Sequence, residues 1–217
     1  MLGGINMNLQ DFSSKIRENN KNLHKAAEST GFNKRLIDGN ASKETYAEFL
    51  FNYMAVYKAI ENALENSKDL PDIKPFITPE LYRSEALKKD VEYILKDKVA
   101  KLELLASTKA CVSRIEEISK ENPILIVAHA YTRFLADLFG GRTIYQVVKE
   151  NYIQEDEGLN YYKFPEITDI KDYVFSYRIK LSSINLNAKT ENAFLNEIAN
   201  SYLYNIGIST ELESKLF

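Results

Sequence analysis

Apolar residues recur at intervals of three and four along nearly the whole chain, and no run alternates convincingly with period two. Such a pattern leaves helix-on-helix packing as the way to bury the apolar stripes. The first stripe is Leu9, Phe12, Ile16, Leu23 and Ala27, followed by a short segment from Phe32 to Ile37 that the Asp38-Gly39-Asn40 turn closes. Ser42 is a candidate N-cap for a long core helix carrying Tyr46, Phe49, Leu50, Tyr53, Val56, Tyr57, Ile60 and Leu64. Thr78 before Pro79 predicts a second capped start, continuing through Leu87, Val91, Ile94 and Leu95. Further helices are expected near 108–119, after Asn122-Pro123, and near 168–186 and 190–206. No linker or 20–50-residue repeat interrupts this pattern. With 217 residues and 45% hydrophobic content, the expectation is one domain over 1–217, an all-α, single-domain irregular helical bundle.

Composition removes several classes of function. Net charge is −3 with acids and bases interspersed, unlike the concentrated basic face that nucleic acid demands. The longest apolar stretches read as shorter than the ~20 residues that span a bilayer, and Met1 is followed by a polar amphipathic segment. A soluble, cytoplasmic protein without a membrane anchor is the expectation. Cys111 is the single cysteine, so there is no internal disulfide framework, and Cys111 reads as a buried spacer. No Gly-x-Gly-x-x-Gly fingerprint or P-loop is present, which argues against an intrinsic NAD(P) or flavin site.

Two features gather polar groups. Gly140 and Gly141 stand together inside an otherwise good helix, where each glycine costs about 1 kcal/mol relative to alanine. They call for a bend, or for a backbone that something approaches closely. Asp137, Arg133 and Tyr131 collect beside them. The second feature surrounds one of only two histidines. His24 shares a helix face with Arg17, Lys21 and Glu28. That face fits a solvated surface with an i,i+4 ion pair. It also fits a metal-binding imidazole oriented by Glu28, with Arg17 and Lys21 meeting acidic groups of the same ligand, as an iron porphyrin with carboxylate tails would require. His129 follows the apolar run Ile124-Leu125-Ile126-Val127 and reads as a hydrogen-bonded core histidine.

The stretch Ile126-Val-Ala-His-Ala-Tyr-Thr-Arg-Phe-Leu-Ala-Asp-Leu-Phe-Gly-Gly141 resembles the signature of the biliverdin-forming heme oxygenases, and Leu23-His24-x-x-Ala27-Glu28 resembles their proximal-ligand helix. Pro79 to Asp90, Tyr162-Lys-Phe-Pro165, Tyr177-Arg178 and Asn205-Ile206 match further landmarks of that family in order. The similarity covers nearly the whole chain.

The resemblance implies heme b held between a proximal and a kinked distal helix, as cofactor and substrate together, with O2 as co-substrate. His24 would be the proximal iron ligand, with Glu28 behind it. Gly140 and Gly141 would cross close above the heme. Asp137 would hold the distal water network, with Tyr57, Arg133 and Asn205 as members, while Arg17, Lys21, Tyr131 and Arg178 would face the propionates. The implied products are biliverdin, ferrous iron and carbon monoxide. Electrons would come from an external donor, a ferredoxin, flavodoxin or reductase. The chain departs from the family pattern at Ala136, usually glycine, at Phe139, usually serine, and at Val174, commonly lysine, for which Lys171 is the nearby replacement. Two rival classes remain. A heme carrier would need His24 and the basic anchors but not Asp137 or the glycine pair. A di-iron oxidase would need Glu-x-x-His pairs, which neither histidine provides.

Overall fold

A computed structural model describes the backbone of residues 5–217 and the side chains from residue 12 onward, apart from 13 and 14. Leu9 of the first apolar stripe therefore lies outside the described side chains. The helices are α1 (Ile5–Ser29), α2 (Gly31–Ile37), α3 (Lys43–Asn66), α4 (Ser84–Leu95), α5 (Ala106–Glu121), α6 (Ile126–Asn151), α7 (Ile170–Ser182) and α8 (Ala188–Ser214), joined by short 3-10 turns. Among the described residues there is no strand.

The core forms where α3 packs on α4 and α5, and where α8 packs on α1, α2, α5 and α6. Tyr46, Tyr57, Phe32, Phe134 and Phe194 are fully enclosed there, and burying an aliphatic or phenylalanine side chain of this size contributes about 1.5–3 kcal/mol. Cys111 is buried, as expected of a spacer, and burial pushes its thiol up to about 12.

Local signals hold at some helix starts and fail at another. Ser42 Oγ accepts from the Thr45 backbone N–H at 3.1 Å, and Asn187 does the same for Thr190 at 3.0 Å. The expected cap at Thr78 is not made. Pro79–Leu81 forms a separate 3-10 turn, and α4 begins only at Ser84. The reason lies in α3: the buried Glu61 carboxylate accepts from the backbone N–H of Arg83 at 2.6 Å and of Ser84 at 3.0 Å. A carboxylate from another helix thus satisfies the first donors of α4.

Two helices become the walls of the site. α1 is tied to α8 at both ends. Phe12 meets Phe194 with ring centroids 5.8 Å apart, and Lys15 pairs with Glu191 at 3.0 Å. At the other end Ser209 Oγ accepts from Asn33 N–H and donates to the Thr30 carbonyl, both at 2.9 Å. Gly31 has φ +60°, and a Cβ there would sit 2.7 Å from the Ser209 backbone, so glycine alone permits this close crossing. α6 runs unbroken through Gly140 and Gly141; the pair does not end the helix. The stretch Pro123–Asn151 is long enough, and an 18-residue window within it apolar enough at a mean hydropathy of 1.2, to cross a membrane, unlike the expectation from the sequence, but 67% of that window is buried inside the fold. Its apolar character serves the core.

Candidate functional site

Between α1 and α6 lies a cavity of about 1230 Å³, above the ~300–1,000 Å³ usual for small-ligand sites. Arg17, Lys21, His24 and Glu28 line it from α1, Tyr131, Arg133, Asp137, Gly140 and Gly141 from α6, Arg178 from α7 and Asn205 from α8. Of the expected site residues, Tyr57 alone is not on the wall; it stands behind Asp137 and bonds to it.

The α1 wall is open. The His24 side chain is 51% exposed, its ring edge-on to Tyr202 at 5.8 Å, and its Nδ1 lies 3.7 Å from Glu28 Oε1. That separation exceeds a hydrogen bond, so Glu28 is placed to orient the imidazole without yet gripping it, and Nε2 is left for a ligand. Lys21 and Arg17 lie one and two turns before His24 on the same face. Across the mouth, the Arg178 guanidinium rests 5.5 Å from the centre of the Phe139 ring, a cation–π contact. Phe139 and Phe175 are exposed at this edge. Ala136 also lines the cavity. Val174 is buried in the core, and Lys171, its suggested replacement, is exposed and not among the lining residues.

The α6 wall is closed and polar behind its glycines. A Cβ on Gly140 would meet nothing within 4 Å, and one on Gly141 would meet only Tyr162 Cδ1 at 3.9 Å. These glycines therefore keep backbone, not side chain, facing the cavity. One turn back, Asp137 Oδ2 accepts from the Tyr57 hydroxyl and Oδ1 accepts from the Tyr161 hydroxyl at 2.6 Å. The two hydroxyl oxygens are 3.3 Å apart. Arg133 Nη2 lies 3.6 Å from Asp137 Oδ1 and 3.4 Å from the Tyr161 oxygen, with its guanidinium 4.3 Å over the Tyr53 ring. Burial pushes the Asp137 carboxyl up from its usual range, and Arg133, Tyr161, Tyr57 and Arg83 oppose that rise. Burial and the nearby carboxylate both push the Tyr161 phenol well up, which keeps it a donor. Asn205 lines the cavity outside this hydrogen-bonded cluster.

Sequence reasoning missed three residues that form or brace this wall. Tyr161 sits in a 3-10 turn, Asn160–Tyr162, that has no helical period to mark it. Buried Asp90 of α4 holds that turn by accepting from the backbone N–H of Asn160 at 2.9 Å and of Tyr161 at 2.8 Å. The third is Glu197 of α8. His129 is buried as expected, and its Nε2 lies 2.9 Å from Glu197 Oε1, while Arg114 of α5 donates to Oε2 at 2.8 Å. Burial pushes the Glu197 carboxyl up, but His129 and Arg114 outweigh it and hold it at about 2. His129 thus fastens α6 to α8, away from the cavity lining. Among the described residues no three His, Cys, Asp or Glu side chains converge as a metal cluster.

Comparison with known proteins agrees with this arrangement. The heme oxygenase family model matches residues 10–211. Heme oxygenase 2 of Macaca fascicularis is 33% identical over 211 residues, 95% of this chain and 67% of its own length. Heme oxygenase of Porphyra purpurea is 33% identical over 96% of this chain and 89% of its own length. Among solved structures, heme oxygenase-1 of Synechocystis sp. PCC6803 in complex with heme superposes with a TM-score of 0.88 at 29% identity, covering 94% of this chain and 93% of that one. The Leptospira interrogans heme oxygenase superposes with a TM-score of 0.85 at 34% identity, covering 92% and 98%. With its all-α bundle, its glycine-faced cavity and a match over nearly its full length, this chain belongs to the heme oxygenase family.

Proposed function

We propose that the protein binds heme between α1 and α6 and converts it to biliverdin, ferrous iron and carbon monoxide, using O2 and electrons from a separate ferredoxin, flavodoxin or reductase. The observation that carries this reading is the pairing of two unlike walls: an accessible imidazole on α1 opposite a side-chain-free backbone on α6, with a buried carboxylate one turn away. The residues fit the group. The cavity is large, Gly140 leaves a cradle that any side chain would fill, and Arg17, Lys21 and Arg178 supply cations for two carboxylate tails.

Heme, when bound, supplies both the iron that takes up O2 and the macrocycle that is cleaved. The chain supplies position and protons. His24 would hold the heme iron, with Glu28, 3.7 Å from Nδ1, placed to orient the ring. Arg17, Lys21, Tyr131 and Arg178 set which edge of the macrocycle lies under α6. Asp137 would act at one remove: its oxygens would hold water in the cavity as a proton source, without direct contact of the carboxylate with what is bound there. Arg133 and Asn205 complete the polar wall around that water, and Tyr57 supports Asp137 from behind.

The test is conversion itself. Heme-loaded protein supplied with a reducing partner and air should yield biliverdin and carbon monoxide in equal amounts. Asp137→Ala should still bind heme with a histidine-ligated spectrum but form biliverdin about a hundredfold or more slowly, the scale of a positioned proton donor, and gain peroxide-driven turnover. A wild-type protein that binds heme tightly and releases no biliverdin would make it a carrier.

A further inference from the structure

Asp137 is held by two phenols, one on each oxygen, and the two phenols differ in what they face. Tyr57 is enclosed in the core behind the carboxylate, whereas Tyr161 lines the cavity. Tyr161 also reaches this position by a separate construction. Its backbone N–H and that of Asn160 are bound by Asp90, so the turn that carries it is anchored to α4, independently of α6.

We propose that Tyr161 is a positioning residue for the reaction: by donating to Oδ1 while Tyr57 donates to Oδ2, it fixes the plane of the Asp137 carboxylate and directs the second lone pair of each oxygen at cavity water. The inference rests on the heme-cleaving reading above and deepens it. A carboxylate oxygen accepts about two hydrogen bonds. With one site on each oxygen filled from the protein side, the remaining sites are fixed in direction, because rotating the carboxylate would break two buried hydrogen bonds at once. Arg133 of α6, Tyr53 and Tyr57 of α3, Tyr161 and Tyr162 of the 3-10 turn, and Arg83 ahead of α4 are the titratable and charged groups that act on this carboxylate. Tyr161 is among those that keep the carboxyl from rising further in its buried setting.

Tyr161→Phe removes one hydroxyl and keeps the ring. In the protein without heme, a carbon-13 NMR titration of the Asp137 carboxyl should show its midpoint moving upward by about one pH unit, a tenfold change in proton affinity. In the heme-loaded protein the histidine-ligated spectrum should be retained, biliverdin per heme should fall about threefold or more, and peroxide-driven turnover should rise. Tyr57→Phe, which frees the other oxygen, should move the same midpoint in the same direction and supplies the measurement if Tyr161→Phe folds poorly. An unmoved midpoint in the folded variants overturns the proposal, and so does a moved midpoint with an unchanged biliverdin yield. If the wild type makes no biliverdin, the heme-cleaving reading fails and takes the reaction role with it, while the titration still reports whether Tyr161 holds Asp137.

Discussion

The two walls of the cavity are built on opposite principles. On α1 the functional groups are exposed, separated, and related only by helical spacing; His24 and Glu28 stand 3.7 Å apart with more than half of each side chain in solvent. At α6 a carboxylate and a guanidinium of the helix, with a phenol from α3 and one from the 3-10 turn, are buried and hydrogen-bonded to one another. On the proposed function, the difference follows from what each wall would do. A metal–ligand bond brings its own directionality, so an imidazole on a well-supported helix needs little further organisation. Water has none of its own, and ordering it requires a wall that is already rigid.

The comparison breaks most visibly at the single point on which the open wall depends. His24→Ala should abolish the histidine-ligated ferric and ferrous-CO spectra, whereas His129→Ala should leave them intact, since His129 is bound to Glu197 and is not among the lining residues. Retention of the wild-type spectrum in His24→Ala would remove the proximal assignment. The fastening of α6 to α8 behind the closed wall should respond in stability. The Glu197 carboxyl is held at about 2, below its ordinary 4.5, so its contribution is fully present above about pH 4.5 and is lost as pH falls towards 2. That contribution is on the order of 3 kcal/mol. Glu197→Gln should be less stable at neutral pH by an amount of that order, and its acid-unfolding limb should be shallower, both readable by urea denaturation from pH 7 to 3. Smallest of all should be the effect of the open wall's cations on binding. Partly exposed ion pairs contribute about 1 kcal/mol or less each, so Lys21→Ala or Arg178→Ala should weaken heme affinity by no more than about fivefold while changing the biliverdin isomer ratio. A large affinity loss with unchanged isomers would show that these cations bind and do not orient.

The same contrast decides what could be read from the residues alone. The α1 face was legible because Arg17, Lys21, His24 and Glu28 lie within a few turns of one helix, and helical spacing brings them together whatever the rest of the chain does. The glycine pair and Asp137 were legible for the same reason. Tyr161 and Glu197 were not, because their partners are 24 and 68 residues away and no local pattern marks either contact. The start of α4 shows the same limit. Thr78-Pro79 has the local form of a helix start, but Glu61 of α3 caps the backbone at Arg83 and Ser84 instead. The cation–π contact between Arg178 and Phe139 joins two helices and had no sequence signal either.

The tyrosine-lined cavity also makes the protein its own optical probe. The chain has 14 tyrosines and no tryptophan, so its ultraviolet emission comes from phenols alone. Those that donate to carboxylates, Tyr57 and Tyr161 to Asp137, Tyr82 to Glu65 and Tyr173 to Glu80, have a built-in quenching route through the shared proton. Tyr131 and Tyr202 stand on the cavity wall outside that set. Light emitted there falls directly on whatever occupies the cavity, and a porphyrin absorbs strongly above 300 nm as a matter of general chemistry. Loading of the site can therefore be followed in the unlabelled, unmutated protein by the loss of its faint tyrosine glow.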